Sequence, residues 1–160
     1  AKSPTVARGW QCALTVPRKL SMRDGKLCQQ PVHEIERLRG DCVCATGGET
    51  VEEPGRLFDL VVSCEGAQVI ELEIRKGVFV RYADGMLTLD MGDEGYGRDQ
   101  RLIELSELRD LRVLSDTTMV EIFANGGEAA LTSRTYSPAV PAMELHAEGA
   151  ASMNFYRLVH

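Results

Sequence analysis

The 160-residue chain has the length of one domain, and its 44% hydrophobic content is sufficient for a buried core. Its net charge of -6, without a cluster of basic residues, argues against binding to nucleic acid or to an anionic membrane surface. No apolar run approaches the ~20 residues that a membrane-spanning helix needs, and we expect any secretory leader to lie upstream of Ala1.

The first 30 residues read as an extended lead-in followed by short strands. Residues 1–8 have no periodicity and contain Pro4. Strands are predicted at residues 11–16, 18–22 and 26–29. Pro17 separates the first two, and Asp24-Gly25 is a turn before the third.

Residues 31–39 are the one good helix candidate. Pro31 suits the first turn, Ile35 and Leu38 fall on one face, and Gly40 can end the helix. Because this helix is short, we expect it to be a linker, covering residues 31–40.

The cysteines are odd in number and lack the spacing of a disulfide framework: Cys12, Cys28, Cys42, Cys44 and Cys64. Cys42 and Cys44 fall on the same side of a strand, but no C-x-x-C or paired histidine accompanies them. We therefore expect buried free thiols rather than a zinc site, and a cytoplasmic location.

From residue 41 onward the pattern contains strands only. They are predicted at residues 57–64, 68–74, 77–83, 86–90, 101–105, 111–114, 142–147 and 152–159, in addition to a central hairpin. Since strands do not alternate with helices, a parallel α/β fold is excluded. The sequence predicts an all-β fold, an antiparallel two-sheet β-sandwich over residues 41–160.

The central hairpin is predicted around Asn125-Gly126, a pair typical of a two-residue turn. This turn places Ala124 opposite Gly127, Ile122 opposite Ala129 and Val120 opposite Leu131. Val120, Ile122, Ala129 and Leu131 then share an apolar face, and Glu121, Glu128 and Thr132 lie on the other. A three-residue loop would instead turn Leu131 toward solvent.

The acidic, glycine-rich stretch at residues 90–100 has no strand character. A calcium loop is one interpretation, but the ligand spacing is not that of an EF-hand, and a mobile connection is preferred. Gly95-x-Gly97 is not a phosphate-binding loop, because no helix follows it.

Two segments carry a resemblance to a known family. Residues 116–125, D-T-T-M-V-E-I-F-A-N, and residues 132–136, T-S-R-T-Y, resemble the D-x-S-x-x-E-x-F-x-N … T-S-R-x-Y signature in the C-terminal β-sandwich of glycoside hydrolase family 32. Residues 9–18, G-W-Q-C-A-L-T-V-P-R, followed by Leu27 and Gln30-Pro31-Val32, resemble the segment that joins the family's last propeller blade to the sandwich. The family contains invertases, sucrose-6-phosphate hydrolases, levanases and inulinases.

The resemblance implies that residues 1–30 are a remnant of the last blade and that the partner is a catalytic five-bladed propeller of the same parent enzyme. In such retaining fructosidases two carboxyl groups stand ~5–5.5 Å apart. The family's W-M-N-D-P-N-G, R-D-P and E-C motifs do not occur: Arg98-Asp99 precedes Gln100, and Cys64-Glu65 has the reverse order. We therefore expect no catalytic residue, cofactor or metal in this chain.

The remaining candidates for chemistry are weak. Glu71, Glu73, Glu121 and Glu128 alternate with core positions, so we expect them to point to solvent. The histidines are scattered, at His33, His146 and His160. Trp10 is expected to pack between domains rather than to stack on a sugar.

Three functions remain open. The preferred one is a non-catalytic module that stabilises a β-fructofuranosidase propeller. We also expect the N-terminal residues to pack against their own sandwich or against a neighbouring copy, and of these two a homodimer through residues 10–28 is preferred. The alternative is a fructan-binding module, which would need exposed aromatics; the candidates are Phe79, Tyr82, Phe123, Phe155 and Tyr156. An autonomous enzyme is disfavoured by the missing motifs.

Overall fold

The computed structural model describes residues 3–159, and nearly all regular structure in it is antiparallel β. The strands are β1 Arg18–Arg23, β2 Lys26–Pro31, β3 Arg39–Thr46, β4 Thr50–Glu52, β5 Phe58–Ser63, β6 Val69–Arg75, β7 Val78–Ala83, β8 Met86–Asp90, β9 Gln100–Glu104, β10 Asp110–Ser115, β11 Met119–Ala124, β12 Ala129–Arg134, β13 Ala142–Glu144, β14 His146–Glu148 and β15 Ser152–Leu158. Short 3₁₀ helices span Pro4–Arg8, His33–Leu38 and Gly92–Gly95.

Two sheets form the sandwich. One has six strands in the order β12-β11-β10-β5-β15-β3, and the other has five in the order β14-β6-β7-β8-β9. Two strand pairs, β1–β2 and β13–β4, complete the fold. The predicted antiparallel two-sheet β-sandwich is confirmed.

The core lies between the facing sides of the two sheets. Ile70, Leu72 and Ile74 of β6 are fully buried, and so are Leu60 of β5 and Phe155 of β15. These side chains alternate with outward-facing residues, as the period of two in a strand requires. Each buried aliphatic side chain contributes about 1.5–3 kcal/mol relative to exposure.

A buried arginine ties the two sheets together at one end. Arg75, at the end of β6, is fully buried and donates to the Ser115 hydroxyl on β10 and to the Ser137 carbonyl, each at 3.0 Å from one of its nitrogens. Burial, reinforced by the nearby charge of Arg56, lowers the pKa of Arg75 to about 10. Backbone and hydroxyl oxygens thus satisfy this guanidinium within the fold.

The central hairpin has a longer loop than predicted. Ala124 pairs with Ala129, and Ile122 pairs with Leu131, so the two-residue turn and its register are wrong. Asn125, Gly126 and Gly127 all have positive φ, so the loop covers residues 125–128 instead of the predicted pair Asn125-Gly126. Because the register moves by two residues, each side chain keeps its predicted face.

Residues 11–16 are not a strand, contrary to the prediction. They are extended but belong to no ladder among the described residues. A strand needs a neighbouring backbone to pair with, and an alternating sequence alone does not supply one. The predicted strand at residues 142–147 is also divided, because β13 pairs with β4 whereas β14 pairs with β6.

The linker element is a 3₁₀ helix, not the predicted helix over residues 31–39. It spans His33–Leu38 and contains no buried residue. Val32 is extended before the 3₁₀ helix, and β3 begins at Arg39. Gly40 therefore lies in β3 and does not end the helix. A helix of this length has too few internal hydrogen bonds for stability without tertiary contacts.

Within the stretch at residues 90–100, residues 91–99 lack strand character, as predicted, whereas Asp90 ends β8 and Gln100 begins β9. Met91 is 1% exposed, and its amide donates to the Asp99 carbonyl at 2.7 Å, which closes the base of the loop. The ring of Tyr96 packs edge-on against that of Tyr136, with centroids 5.6 Å apart. Within residues 3–159 no helix is long and apolar enough to cross a membrane.

Candidate functional site

The N-terminal segment, residues 10–31, lies on the outer face of the six-stranded sheet. Glu121 of β11 points from that face and is only 2% exposed. Its carboxylate accepts a hydrogen bond from the Val16 amide at 2.7 Å and forms an ion pair with Arg18 at 2.5 Å. The prediction that Glu121 points to solvent is therefore wrong, because the N-terminal segment covers it.

Arg18 connects four pieces of chain. Besides Glu121, its guanidinium donates to the Thr132 hydroxyl of β12 at 2.7 Å and to the Gln29 side chain of β2 at 3.0 Å. It also lies over the Phe123 ring, 5.1 Å from the centroid. A planar guanidinium suits this combination of forked hydrogen bonding and aromatic stacking.

The loop of the central hairpin, residues 125–128, contacts residues 23–29 of the N-terminal segment. The Gln29 amide donates to the Gly127 carbonyl at 2.8 Å, and Arg23 donates to the Asn125 carbonyl at 2.7 Å. Lys26 forms an ion pair with Glu128, which lowers the pKa of the Glu128 carboxyl. The N-terminal segment thus packs on its own sandwich.

The linker is fixed to the same sheet by a buried ion cluster. Asp59 of β5 is fully buried and accepts hydrogen bonds from Arg39 at 2.7 Å and from Arg112 at 2.9 and 2.7 Å. Arg112 also approaches Glu36 of the 3₁₀ helix at 3.4 Å. Since removal of one partner would leave a buried charge, this cluster fixes where the linker meets β3.

Large apolar side chains remain exposed near the N-terminus, all in residues 6–27: Val6, Trp10, Leu14, Leu20, Met22 and Leu27. Leu14 is 93% exposed, and Trp10, expected to pack between domains, is 40% exposed. A concentration of this kind in one segment is typical of a surface that another protein part covers.

An apolar cavity of about 260 Å³ opens beside one of these side chains, Leu14. Leu14 and Val16 of the N-terminal segment line the cavity together with Ile35 and Leu38 of the linker. Leu114 of β10 is the lining residue contributed by the six-stranded sheet. The cavity therefore joins the N-terminal segment, the linker and the sandwich in one surface.

The candidate groups for chemistry do not converge. Glu71 is half-exposed and pairs with Arg81 at 2.5 Å, and Glu73 accepts a hydrogen bond from the Gly77 amide. His33 and His146 are exposed, whereas His160 lies outside the described residues. In residues 3–159 no group of three or more His, Cys, Asp or Glu side chains could hold a metal ion.

The aromatic candidates do not form an open platform. Tyr82, Phe123 and Phe155 are buried. Arg81 lies 4.2 Å from the centroid of Phe79, and Arg39 lies 4.3 Å from that of Tyr156. These guanidinium groups occupy ring faces that a sugar would need.

The cysteines are free, but the expectation that they are buried holds only for Cys28 and Cys64. Cys12, Cys42 and Cys44 are exposed. Cys42 and Cys44 lie on the same side of β3, as predicted, with their sulfur atoms 3.6 Å apart. They are exposed because the N-terminal segment covers the opposite end of the sheet.

The sequence did not predict the contact between Arg18 and Glu121, although both residues belong to the segments that resemble glycoside hydrolase family 32. Arg18 is the last residue of the segment at residues 9–18, and Glu121 is the glutamate of the segment at residues 116–125. The two segments therefore meet in space through one ion pair. Their joint occurrence was the available signal for this contact.

Comparison with known proteins gives concordant matches. The family described as "Glycosyl hydrolases family 32 C terminal" matches residues 79–158. A raffinose invertase of Escherichia coli is 36% identical, over 85% of this chain and 32% of its own. A sucrose-6-phosphate hydrolase of Salmonella typhimurium is 31% identical, over 85% of this chain and 28% of its own.

Solved structures share the fold. The sucrose-6-phosphate hydrolase of Lactobacillus gasseri has a TM-score of 0.84 at 20% identity, over 98% of this chain and 36% of that one. A family 32 β-fructofuranosidase of Bombyx mori has a TM-score of 0.72 at 19% identity, over 91% and 33%. The chain thus spans about a third of the length of the proteins it matches.

Proposed function

Because the chain belongs to the C-terminal domain of glycosyl hydrolase family 32, we propose that it is the non-catalytic β-sandwich module of a β-fructofuranosidase. The parent enzyme would hydrolyse sucrose, sucrose 6-phosphate or a fructan, and its N-terminal propeller would carry the catalytic carboxylates. Relatives named raffinose invertase and sucrose-6-phosphate hydrolase support the first two substrates, and a solved structure named exo-inulinase shares the fold.

The observation that carries the proposal is the N-terminal segment. Arg18 and Glu121 fix its inner side to the sandwich, while Trp10 and Leu14 on the same segment are exposed. A segment that is bonded to the sandwich on one side and exposes apolar side chains on the other is suited to joining the sandwich to a second domain. Its role is to stabilise the propeller by burying this surface.

The proposed domain division follows the same contacts. Residues 1–30 complete the last propeller blade, residues 31–40 form the linker, and residues 41–160 form the sandwich. Residues 11–16 are extended without a partner strand among the described residues, which supports pairing with a blade strand of the parent. The buried Asp59 cluster supports a linker of fixed geometry.

Two finer points belong to the proposal. The five free thiols favour a reducing compartment, and thus a cytoplasmic enzyme. In the isolated chain, the exposed side chains of residues 10–28 would be covered by a second copy, giving a homodimer.

The test is binding to the separately expressed propeller of the parent, measured by isothermal titration calorimetry. A Trp10→Ala/Leu14→Asp variant should weaken binding at least tenfold. The matched control is Leu102→Asp, because Leu102 is 57% exposed on β9 of the other sheet. Equal binding by wild type and the double variant would contradict docking through the N-terminal segment.

A further inference from the structure

A second cavity, of about 330 Å³, is lined by three arginines. Arg98 precedes β9, Arg101 lies on it, and Arg134 ends β12. No acidic residue is among those that line the cavity. In a chain with a net charge of -6, this is a local concentration of positive charge.

The three guanidinium groups form no ion pair with the described residues. Arg98 donates to the Gly95 carbonyl at 2.9 Å, and Arg101 donates to the Gln100 carbonyl at 3.0 Å. These bonds hold the side chains but leave their charges without a counter-ion. Three like charges that share one cavity repel one another unless an anion enters.

Two buried polar atoms in the cavity wall also lack partners among the described residues. They are the Ser133 hydroxyl and one terminal nitrogen of Arg134. Ser133 is only 5% exposed, so bulk water reaches it poorly. A buried group left without a hydrogen bond costs about 1–3 kcal/mol, and a bound ligand would remove that cost.

From these observations we propose that the Arg98–Arg101–Arg134 cavity binds the phosphate group of a small phosphorylated molecule. A phosphomonoester carries about -1.5 to -2 charges at pH 7, which offsets three guanidinium groups better than a single carboxylate does. Its oxygens accept the paired N–H donors of arginine. Gln11 and Thr15, at the other wall, offer hydrogen bonds to the remainder of the ligand.

This site borders the docking surface proposed above, because Gln11, Cys12, Ala13 and Thr15 of the N-terminal segment line part of the cavity. It uses the side of the sandwich where the edge strands β9 and β12 come together, whereas docking relies on the exposed apolar side chains of the N-terminal segment. The two experiments remain distinguishable, because the Trp10→Ala/Leu14→Asp variant changes no residue that lines the cavity, and the arginine variants change none of the exposed apolar side chains.

The experiment titrates inorganic phosphate into the full chain by calorimetry, at constant ionic strength maintained with chloride. Saturable binding with one site is expected. Arg101→Gln and Arg134→Gln should each weaken it at least tenfold, while Arg37→Gln, at an exposed position on the linker helix, should leave it unchanged. If Arg134→Gln does not fold, half-exposed Arg101 still provides the test.

Sulfate and acetate distinguish the ligand classes. Sulfate should compete with phosphate, whereas acetate should bind at least tenfold more weakly. Equal affinity for acetate would assign the cavity to carboxylates and overturn the proposal. Absence of saturable phosphate binding, or equal loss in Arg37→Gln, would overturn it as well.

Discussion

Glu121 is buried because a segment that is distant in sequence covers its side of the sheet. Its strand position matches that of solvent-facing glutamates, yet Arg18 and the Val16 amide enclose the carboxylate. We predict that Glu121→Gln costs roughly 3 kcal/mol, because it leaves Arg18 without its counter-ion in a largely buried position. Hydrogen exchange should accelerate in residues 10–31 more than in the sheet core.

The matched control is Glu71→Gln. Glu71 also pairs with an arginine, but its side chain is 42% exposed. This substitution should cost less than about 1 kcal/mol, since exposed ion pairs are weak. Equal destabilisation by the two variants would refute the distinction between them.

The cysteines should separate into two classes in native conditions. Cys42 and Cys44 are exposed outside the proposed dimer contact of residues 10–28 and should react with a maleimide reagent, whereas Cys28 and Cys64 should react only after unfolding. Burial, together with the charge of Asp110, raises the pKa of Cys64 to about 12, which also suppresses the reactive thiolate. Peptide mass mapping identifies the labelled sites, and labelling of native Cys64 would contradict its placement.

The hairpin loop packs closely against β2 because Gly127 has no side chain there, and its carbonyl accepts a hydrogen bond from the Gln29 amide. A Cβ atom there would lie 2.1 Å from the Gln29 carbonyl oxygen. We predict that Gly127→Ala displaces the N-terminal segment and lowers the melting temperature. Gly48→Ala is the control, because Gly48 has φ +86, close to the +87 of Gly127, but nothing within 4 Å of its Cβ position.

Gly48→Ala therefore reports backbone strain alone, on the order of 1 kcal/mol. The additional loss in Gly127→Ala measures the contact. If both variants lose the same stability, the contact between Gly127 and Gln29 contributes nothing.

The sandwich strands were predictable because alternation is a local property of sequence. The loop of the central hairpin was not, since Asn125-Gly126 suits a two-residue turn and only the third positive φ, at Gly127, distinguishes the longer one. The environment of Glu121 could not be derived from local alternation either, because residues more than a hundred positions away create it. Alternation at residues 11–16 suggested a strand that has no partner in the described chain.

The isolated chain exposes side chains in residues 10–28 that the proposed propeller partner would cover. We predict that it forms a dimer through residues 10–28, which light scattering would detect. Leu20→Lys/Met22→Lys should give a monomer, because both residues are exposed and the change leaves the core intact. A wild-type chain that stays monomeric and compact would contradict the dimer.

We propose that this chain is a module without a catalytic centre of its own. The most direct test of this proposal is an assay of the purified 160-residue chain for glucose release from sucrose, with the parent enzyme as positive control. A retaining fructosidase needs a nucleophile and an acid/base carboxyl group, and the family's motifs for both are missing from this sequence. We expect no glucose release above the rate in buffer alone. Release that increases in proportion to the concentration of the chain would contradict it.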